Sequence, residues 1–185
     1  MQEMTLSPRD NISIVRISED NLYQMEEVCL MAKKIFTDTF SFAYQDNKDY
    51  DLYVEKTFQV HSFIKEWEKA DQRMWTIEHA DQVAGYLMLS SEAFSKGHNH
   101  SYPLEIKRFY LDKPFHGKGI AQKMMTFCLE EARKILAPYV FLGVWPSNHR
   151  AIKFYQKYDF KVDGEIPFQL GEIIEMDWRM KKDLR

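Results

Sequence analysis

A mixed α/β (α+β) fold, with one central and mostly antiparallel sheet flanked by helices, follows from three features of the sequence. Apolar residues at helical spacing dominate the first third of the chain. Strand-like patterning starts abruptly at Arg73, and a strand–helix–strand–helix succession then leads into two closing strands. A length of 185 residues suits one domain spanning 1–185, and 45% hydrophobic residues are enough to fill its core.

Each element has its own signal. Ile12, Ile14 and Val15 open a short strand, which the cap-forming Ser18-Glu19-Asp20 cluster ends. Leu22, Met25, Cys29, Ala32 and Phe36 then recur at helical spacing. The pattern loosens from Thr37 to Asn47. Tyr50, Tyr53, Val54 and Phe58 predict a second helix, and Phe63, Ile64 and Trp67 a third, capped by Ser62. Met74 to Ile77 and Val83 to Leu89 read as strands, with Ala80-Asp81-Gln82 as the hairpin turn. A polar loop from Ser95 to Tyr102 precedes a strand from Leu104 to Leu111. A helix from about Lys118 stops before Pro138, with Ile120, Met124, Cys128, Ala132 and Leu136 on one face. Tyr139 to Trp145 is nearly all apolar or aromatic, as for a strand covered on both faces. A shorter helix from about Asn148 to Tyr158 follows. The last strand, Ile174 to Met180, alternates with period two.

Composition excludes several classes. The net charge of -3 lacks the basic excess of a general nucleic-acid binder, so no nucleic-acid partner is expected. Thirteen Phe, ten Tyr and four Trp are too many aromatics for a disordered chain. No apolar run approaches the roughly 18 residues of a membrane span, and the polar stretch from Met1 to Asp10 has no signal-peptide core. The expectation is a soluble, cytoplasmic protein whose two cysteines, Cys29 and Cys128, are reduced core thiols.

The stretch Pro114-Phe115-His116-Gly117-Lys118-Gly119-Ile120-Ala121, between a strand and a helix, carries the chemistry. Gly117 and Gly119 let the backbone curl and approach a ligand closely. The first four N–H groups of the following helix have no intrahelical partner, and the positive end of the helix dipole lies behind them. Such a nest suits a pyrophosphate, with Lys118 adding a full charge. A glycine pair before a helix also serves as a plain turn, and the spacing alone leaves both readings open. A P-loop is excluded, because its Gly-Lys-Ser/Thr ending is missing. A dinucleotide fingerprint is excluded too, because its third glycine would fall at Gln122.

Leu104 to Leu111, Pro114 and His116 to Ala121 resemble motif A of the GNAT superfamily of acetyl-CoA-dependent N-acetyltransferases. The pattern Arg/Gln-x-x-Gly-x-Gly/Ala lands on His116, Gly119 and Ala121. Leu142-Gly143-Val144-Trp145, Asn148, Ala151 and Phe154-Tyr155-x-x-x-x-Phe160 resemble motif B of the same family. With Asp38-Thr39-Phe40 and Leu104-Glu105-Ile106, most of the chain is similar to bacterial spermidine/spermine N-acetyltransferases of the PaiA type.

The resemblance implies a GNAT fold that transfers acetyl from acetyl-CoA, by direct attack in a ternary complex, to a primary amine, foremost a polyamine. A protein lysine or N-terminus, another small amine, or a non-catalytic acyl-CoA-binding module are the alternatives, and a homodimer stays open. It further implies that Phe109, Tyr110 and Leu111 pair through their backbone with the pantetheine arm. The amides of His116, Gly117, Lys118, Gly119, Ile120, Ala121 and Gln122 would hold the pyrophosphate. Asn148 would contact the pantetheine or acetyl region, and Lys157 would reach the distal phosphates. Tyr155 falls where the family often places a tyrosine near the coenzyme sulfur, where a phenol can protonate the leaving thiolate. Periodicity alone equally lets it pack beside Ala151, Ile152 and Tyr158.

An amine nucleophile needs a base, because roughly one alkylammonium in two thousand is neutral at pH 7. Glu105, on the motif A strand, is the candidate, as base or as cation anchor; an exposed strand glutamate is the competing reading. Asp38, Asp46, Asp49, Asp51 and Glu55, interleaved with Phe40, Phe42, Tyr44, Tyr50 and Tyr53, offer an acidic, aromatic funnel, or simply a solvated face. His116 departs from the family's Arg/Gln. Asp159 replaces a common glycine where positive φ is needed, which Asp tolerates. Gly97-His98-Asn99-His100 has no Cys or carboxylate partner nearby, so no metal is expected there.

Overall fold

The computed structural model describes residues 11–18, 23–97 and 101–184. The polar stretch 1–10, Glu19 and Asp20 of the cap cluster, Leu22, and His98, Asn99 and His100 of the loop lie outside the described residues.

The described chain runs β1 (Ile12–Arg16), α1 (Tyr23–Phe40), α2 (Lys48–Thr57), α3 (Val60–Trp67), β2 (Gln72–His79) and β3 (Gln82–Ser90). It continues with α4 (Ala93–Lys96), β4 (Leu104–Leu111), α5 (Ile120–Lys134), β5 (Tyr139–Val144), α6 (His149–Gln156), β6 (Lys161–Leu170) and β7 (Ile173–Asp183). The strands form one sheet in the order β1-β2-β3-β4-β5-β7-β6. Every neighbouring pair is antiparallel except β4–β5.

Strand alternation divides the central sheet between two cores. Leu87 and Leu89 of β3 join Trp75 and Ile77 of β2 and the apolar face of α5. Tyr86 and Met88, one residue out of phase, join Met74 and the buried faces of α1 and α3. Each fully buried Leu, Ile or Met here stabilises the fold by roughly 1.5–3 kcal/mol. Cys128 belongs to the first core and Cys29 to the second, and both are free thiols. A third cluster, Phe36, Tyr50, Val54 and Leu170, ties α1 and α2 to the end of β6.

Several expectations are corrected locally. The β2–β3 turn needs only Ala80 and Asp81, at φ 52° and 61°, because two successive left-handed residues match the strand twist; Gln82 already pairs with His79. Ser62 lies inside α3, whose N-cap position is Gln59. The helix α2 is capped by Asn47, which accepts from the amides of Asp49 and Tyr50. Asp159, at φ 64°, does take the left-handed turn after α6.

Two irregularities shape the centre. Lys107 is an extra residue in β4: Met88 faces Arg108 and Leu89 faces Ile106, leaving Lys107 unopposed in a bulge. Lys107 and Arg108 both reach Glu66 of α3, at 2.8 and 3.6 Å. Moreover, β4 and β5 pair only at Leu104–Val140 and Glu105–Phe141. Beyond those rungs the two strands part, and the gap between them is the cleft.

Candidate active site

A cavity of about 310 Å³ fills this gap. One end is the turn into α5. Gly117 and Gly119 sit at φ 77° and 78°, and a β-carbon on either would meet no protein atom within 4 Å. Backbone handedness, rather than crowding, therefore demands glycine at both positions. The His116 amide is committed to Lys113 O at 3.1 Å, so the turn's anion-binding amides begin after it. The His116 ring has another task. Its Nε2 lies 2.8 Å from Leu111 O, and since a carbonyl only accepts, Nε2 is the donor. That bond holds the turn against the end of β4.

The middle of the cavity is bounded by β4 and α6. Phe109, Tyr110 and Leu111 pair with β3 along one edge and with no strand on the edge facing β5, where the Leu111 carbonyl already accepts from the His116 ring. The remaining backbone groups of that edge are open to an added strand-like ligand. Tyr155 is wedged among Phe109, Phe154 and Phe160, at ring distances of 6.1, 5.6 and 6.0 Å, yet still lines the cavity. Burial raises its phenol well above the ordinary range, so it is a proton donor at neutral pH. Asn148 caps α6, with Oδ1 accepting from the Ala151 amide at 3.2 Å, and its NH₂ group is the donor it can offer a ligand.

The other end was not foreseen. Alternation in β7 sets Glu175 and Asp177 on one face, and that face turns towards the cavity. Ile174 and Met176 point the opposite way and are 62% and 46% exposed, reversing the usual apolar-in pattern. Tyr44 donates its hydroxyl to Glu175 Oε2. Burial, reinforced by Glu175, pushes the Asp177 carboxyl up to about 6. Opposite, Gly143 keeps β5 from covering the acids, since a β-carbon there would lie 3.1 Å from Ile166 Cδ1 and 3.5 Å from Asp177 Oδ2. This opening also explains why β5 is fully covered on only one face. Trp145 completes an aromatic wall with Phe40, Phe42 and Tyr44, at ring distances of 5.9, 6.0 and 6.3 Å. Outside the cavity, Asp49 Oδ1 accepts from the Glu172 amide at 2.9 Å, tying the β6–β7 turn to α2.

Among the sequence-derived residues, Phe109, Tyr110, Leu111, His116, Gly117, Gly119, Ile120, Ala121, Gln122, Asn148 and Tyr155 all line the cavity. Lys118 is exposed, with Nζ 5.3 Å from the Phe115 ring, and Lys157 caps the far end of α6; neither is on the lining. Glu105 is not on it either. It sits on the last paired rung of β4 and β5, where burial raises its carboxyl despite Lys107 and Arg108. The funnel along α1 and α2 also dissolves. Asp38 pairs with Lys34, Asp49 serves the turn, and Asp46, Asp51 and Glu55 are exposed. What could have revealed the acidic end is the Glu-x-Asp spacing of 175 and 177, which sets two carboxylates on one strand face.

Among the described residues, no helix is long and apolar enough to cross a membrane, and no group of three His, Cys, Asp or Glu side chains is placed to hold a metal ion.

Comparison with known proteins agrees with this geometry. Residues 31–160 match the acetyltransferase (GNAT) family. An uncharacterized N-acetyltransferase from the pepI 3′ region of Lactobacillus delbrueckii subsp. lactis is 29% identical over 175 residues, covering 94% of this chain and 98% of that protein. A probable spermine N(1)-acetyltransferase of Bacillus subtilis subsp. natto is 30% identical over 64 residues, 34% of this chain and 42% of that protein. The crystal structure of a PaiA N-acetyltransferase from Thermoplasma acidophilum, solved with coenzyme A, superposes with a TM-score of 0.68 at 18% identity, covering 93% of this chain and 98% of that one.

Proposed function

The chain belongs to the acetyltransferase (GNAT) family, and on that premise we propose that it acetylates a primary amine of a polyamine, the spermidine/spermine class, within this cavity. The observation that carries the reading is the polarity of one continuous cleft. Unpaired N–H groups stand at one end, and at the other are two carboxylates that no lysine or arginine pairs with among the described residues. An acyl-CoA presents a pyrophosphate and an amide-bearing arm; an alkylpolyamine presents ammonium groups on an apolar chain. The two ends fit these two chemistries.

The residues then divide the work. Amides from Gly117 to Gln122 take the pyrophosphate, with the α5 dipole behind them. The unpaired edge of β4 at Phe109, Tyr110 and Leu111 receives the pantetheine arm, aligning the thioester beside Tyr155. The Tyr155 hydroxyl protonates the departing sulfur, and Asn148 orients the arm through its NH₂. Glu175, Asp177 and the aromatic wall hold the ammonium by charge and cation–π attraction. The spermine acetyltransferase relative supports this acceptor class.

The test is acetyl-CoA-dependent release of free thiol by purified protein with spermidine, spermine, short diamines, a lysine peptide and no amine. Turnover confined to polyamines is the expected result. Turnover with the peptide alone would overturn the acceptor and leave the chemistry standing.

A further inference from the structure

Resting on the amine-acetylating reading above, we propose that Asp177 is the proton acceptor for the reacting ammonium, and that Glu175 anchors the substrate without acting as base.

The two carboxylates differ in what surrounds them. Glu175 already accepts the Tyr44 hydroxyl, which occupies one of its oxygens. Asp177 lies one strand repeat deeper, facing β5 across Gly143, where the absent side chain opens a path to the divergence of β4 and β5. The groups facing it from the packed elements are Glu175 on β7, Tyr44 after α1, Tyr53 on α2 and Tyr110 on β4. On β6 its register partner is Ile166. Among the described residues no lysine or arginine pairs with it: Arg179, on the same strand face, is bound to Asp163 at 2.8 Å, and Lys107 to Glu66 at 2.8 Å, while Arg150 of α6 also lines the cavity. A carboxylate in these surroundings holds a proton more strongly than one in water. With its carboxyl near 6, the gap to an alkylammonium narrows to about 4.4 pH units, against about 6.5 for an ordinary Asp.

The step balances as follows. The substrate ammonium gives one proton to a carboxylate oxygen of Asp177. The neutral nitrogen forms a bond to the thioester carbon, the carbon–sulfur bond breaks, and its electron pair leaves on sulfur. Tyr155 supplies the proton that makes the free thiol and recovers one from the acylated nitrogen. Asp177 returns its proton to water.

The experiment compares wild type with Asp177→Asn, Asp177→Ala and Glu175→Gln, using thiol release with whichever amine of the panel is accepted. In wild type, kcat/KM should rise with pH through a limb near 6. Asp177→Asn should lower kcat about a hundredfold or more and abolish the limb. Added formate should partly restore Asp177→Ala. Glu175→Gln should keep the limb and raise the amine KM. An Asp177→Asn enzyme with near-normal kcat and an intact limb would overturn the proposal, whereas silence of the whole panel would instead remove the amine acceptor.

Thermal melting decides the protonation without any substrate. Since the folded state raises this carboxyl, its ionisation destabilises the fold progressively from about pH 4 to beyond about 6. Asp177→Asn should therefore melt higher than wild type at pH 8, with the advantage shrinking as pH falls through 6 and vanishing below about pH 4; a lower melting point at pH 8 would count against the proposal.

Discussion

The two ends of the cavity are built by opposite strategies. The proposed anion end is local: seven consecutive residues, His116 to Gln122, supply a turn, two left-handed glycines and a helix start, and its ligands are backbone amides. The proposed amine end is assembled from distant pieces. Tyr44, Gly143, Trp145, Glu175 and Asp177 come from connecting segments and two strands, and its ligands are side chains. A site made of backbone depends on conformation and tolerates many side chains. A site made of side chains depends on which way each strand face turns.

This contrast can be broken from either end. The largest effect should come from Gly119→Glu, which forces a β-carbon onto a backbone at φ 78° and places a carboxylate in the anion nest. Coenzyme A affinity, measured by calorimetry, should fall about a hundredfold, equivalent to about 2.7 kcal/mol; unchanged affinity would dissolve the nest. Next comes Glu175→Gln at the other end. Losing a charge-assisted contact should raise the amine KM about tenfold, near 1.4 kcal/mol, while leaving the KM for acetyl-CoA in place. A rise in both constants would mean that the ends are not separate. The smallest effect belongs to His116→Ala. It removes the ring's bond to Leu111 O and should weaken coenzyme affinity only several-fold, in line with about 1 kcal/mol for one hydrogen bond. A loss as large as that of Gly119→Glu would show that the ring, not the backbone, carries the phosphate.

The same contrast explains what was legible in the sequence. The order of helices and strands followed from periodicity, and β4 coincides with the expected Leu104 to Leu111. The glycine turn into α5 was legible because it lies within one short segment. The acidic end was not. Period-two alternation in β7 says that Glu175 and Asp177 share a face, but a half-buried strand normally turns such a face to water. Only the gap between β4 and β5, with Gly143 leaving it open, makes the inside of the protein the wet side at that point. Glu105 misled for a related reason. Its strand is correct, but the bulge at Lys107 and the last β5 rung decide which residues of β4 reach the cleft, and neither leaves a mark in a single sequence.

The unpaired carboxylates of β7 also bear on how a reaction cycle ends. Acetylation turns an ammonium into a neutral amide, so the nitrogen that entered as a cation has no charge left for Glu175 or Asp177 to hold. A single ion contact near a protein surface is worth roughly 4 kcal/mol before solvation is counted, and that attraction disappears in the step that forms the amide bond. On the proposed reading the product is released by its own chemistry, and the acids can draw in the next cation once Asp177 has returned its proton to water.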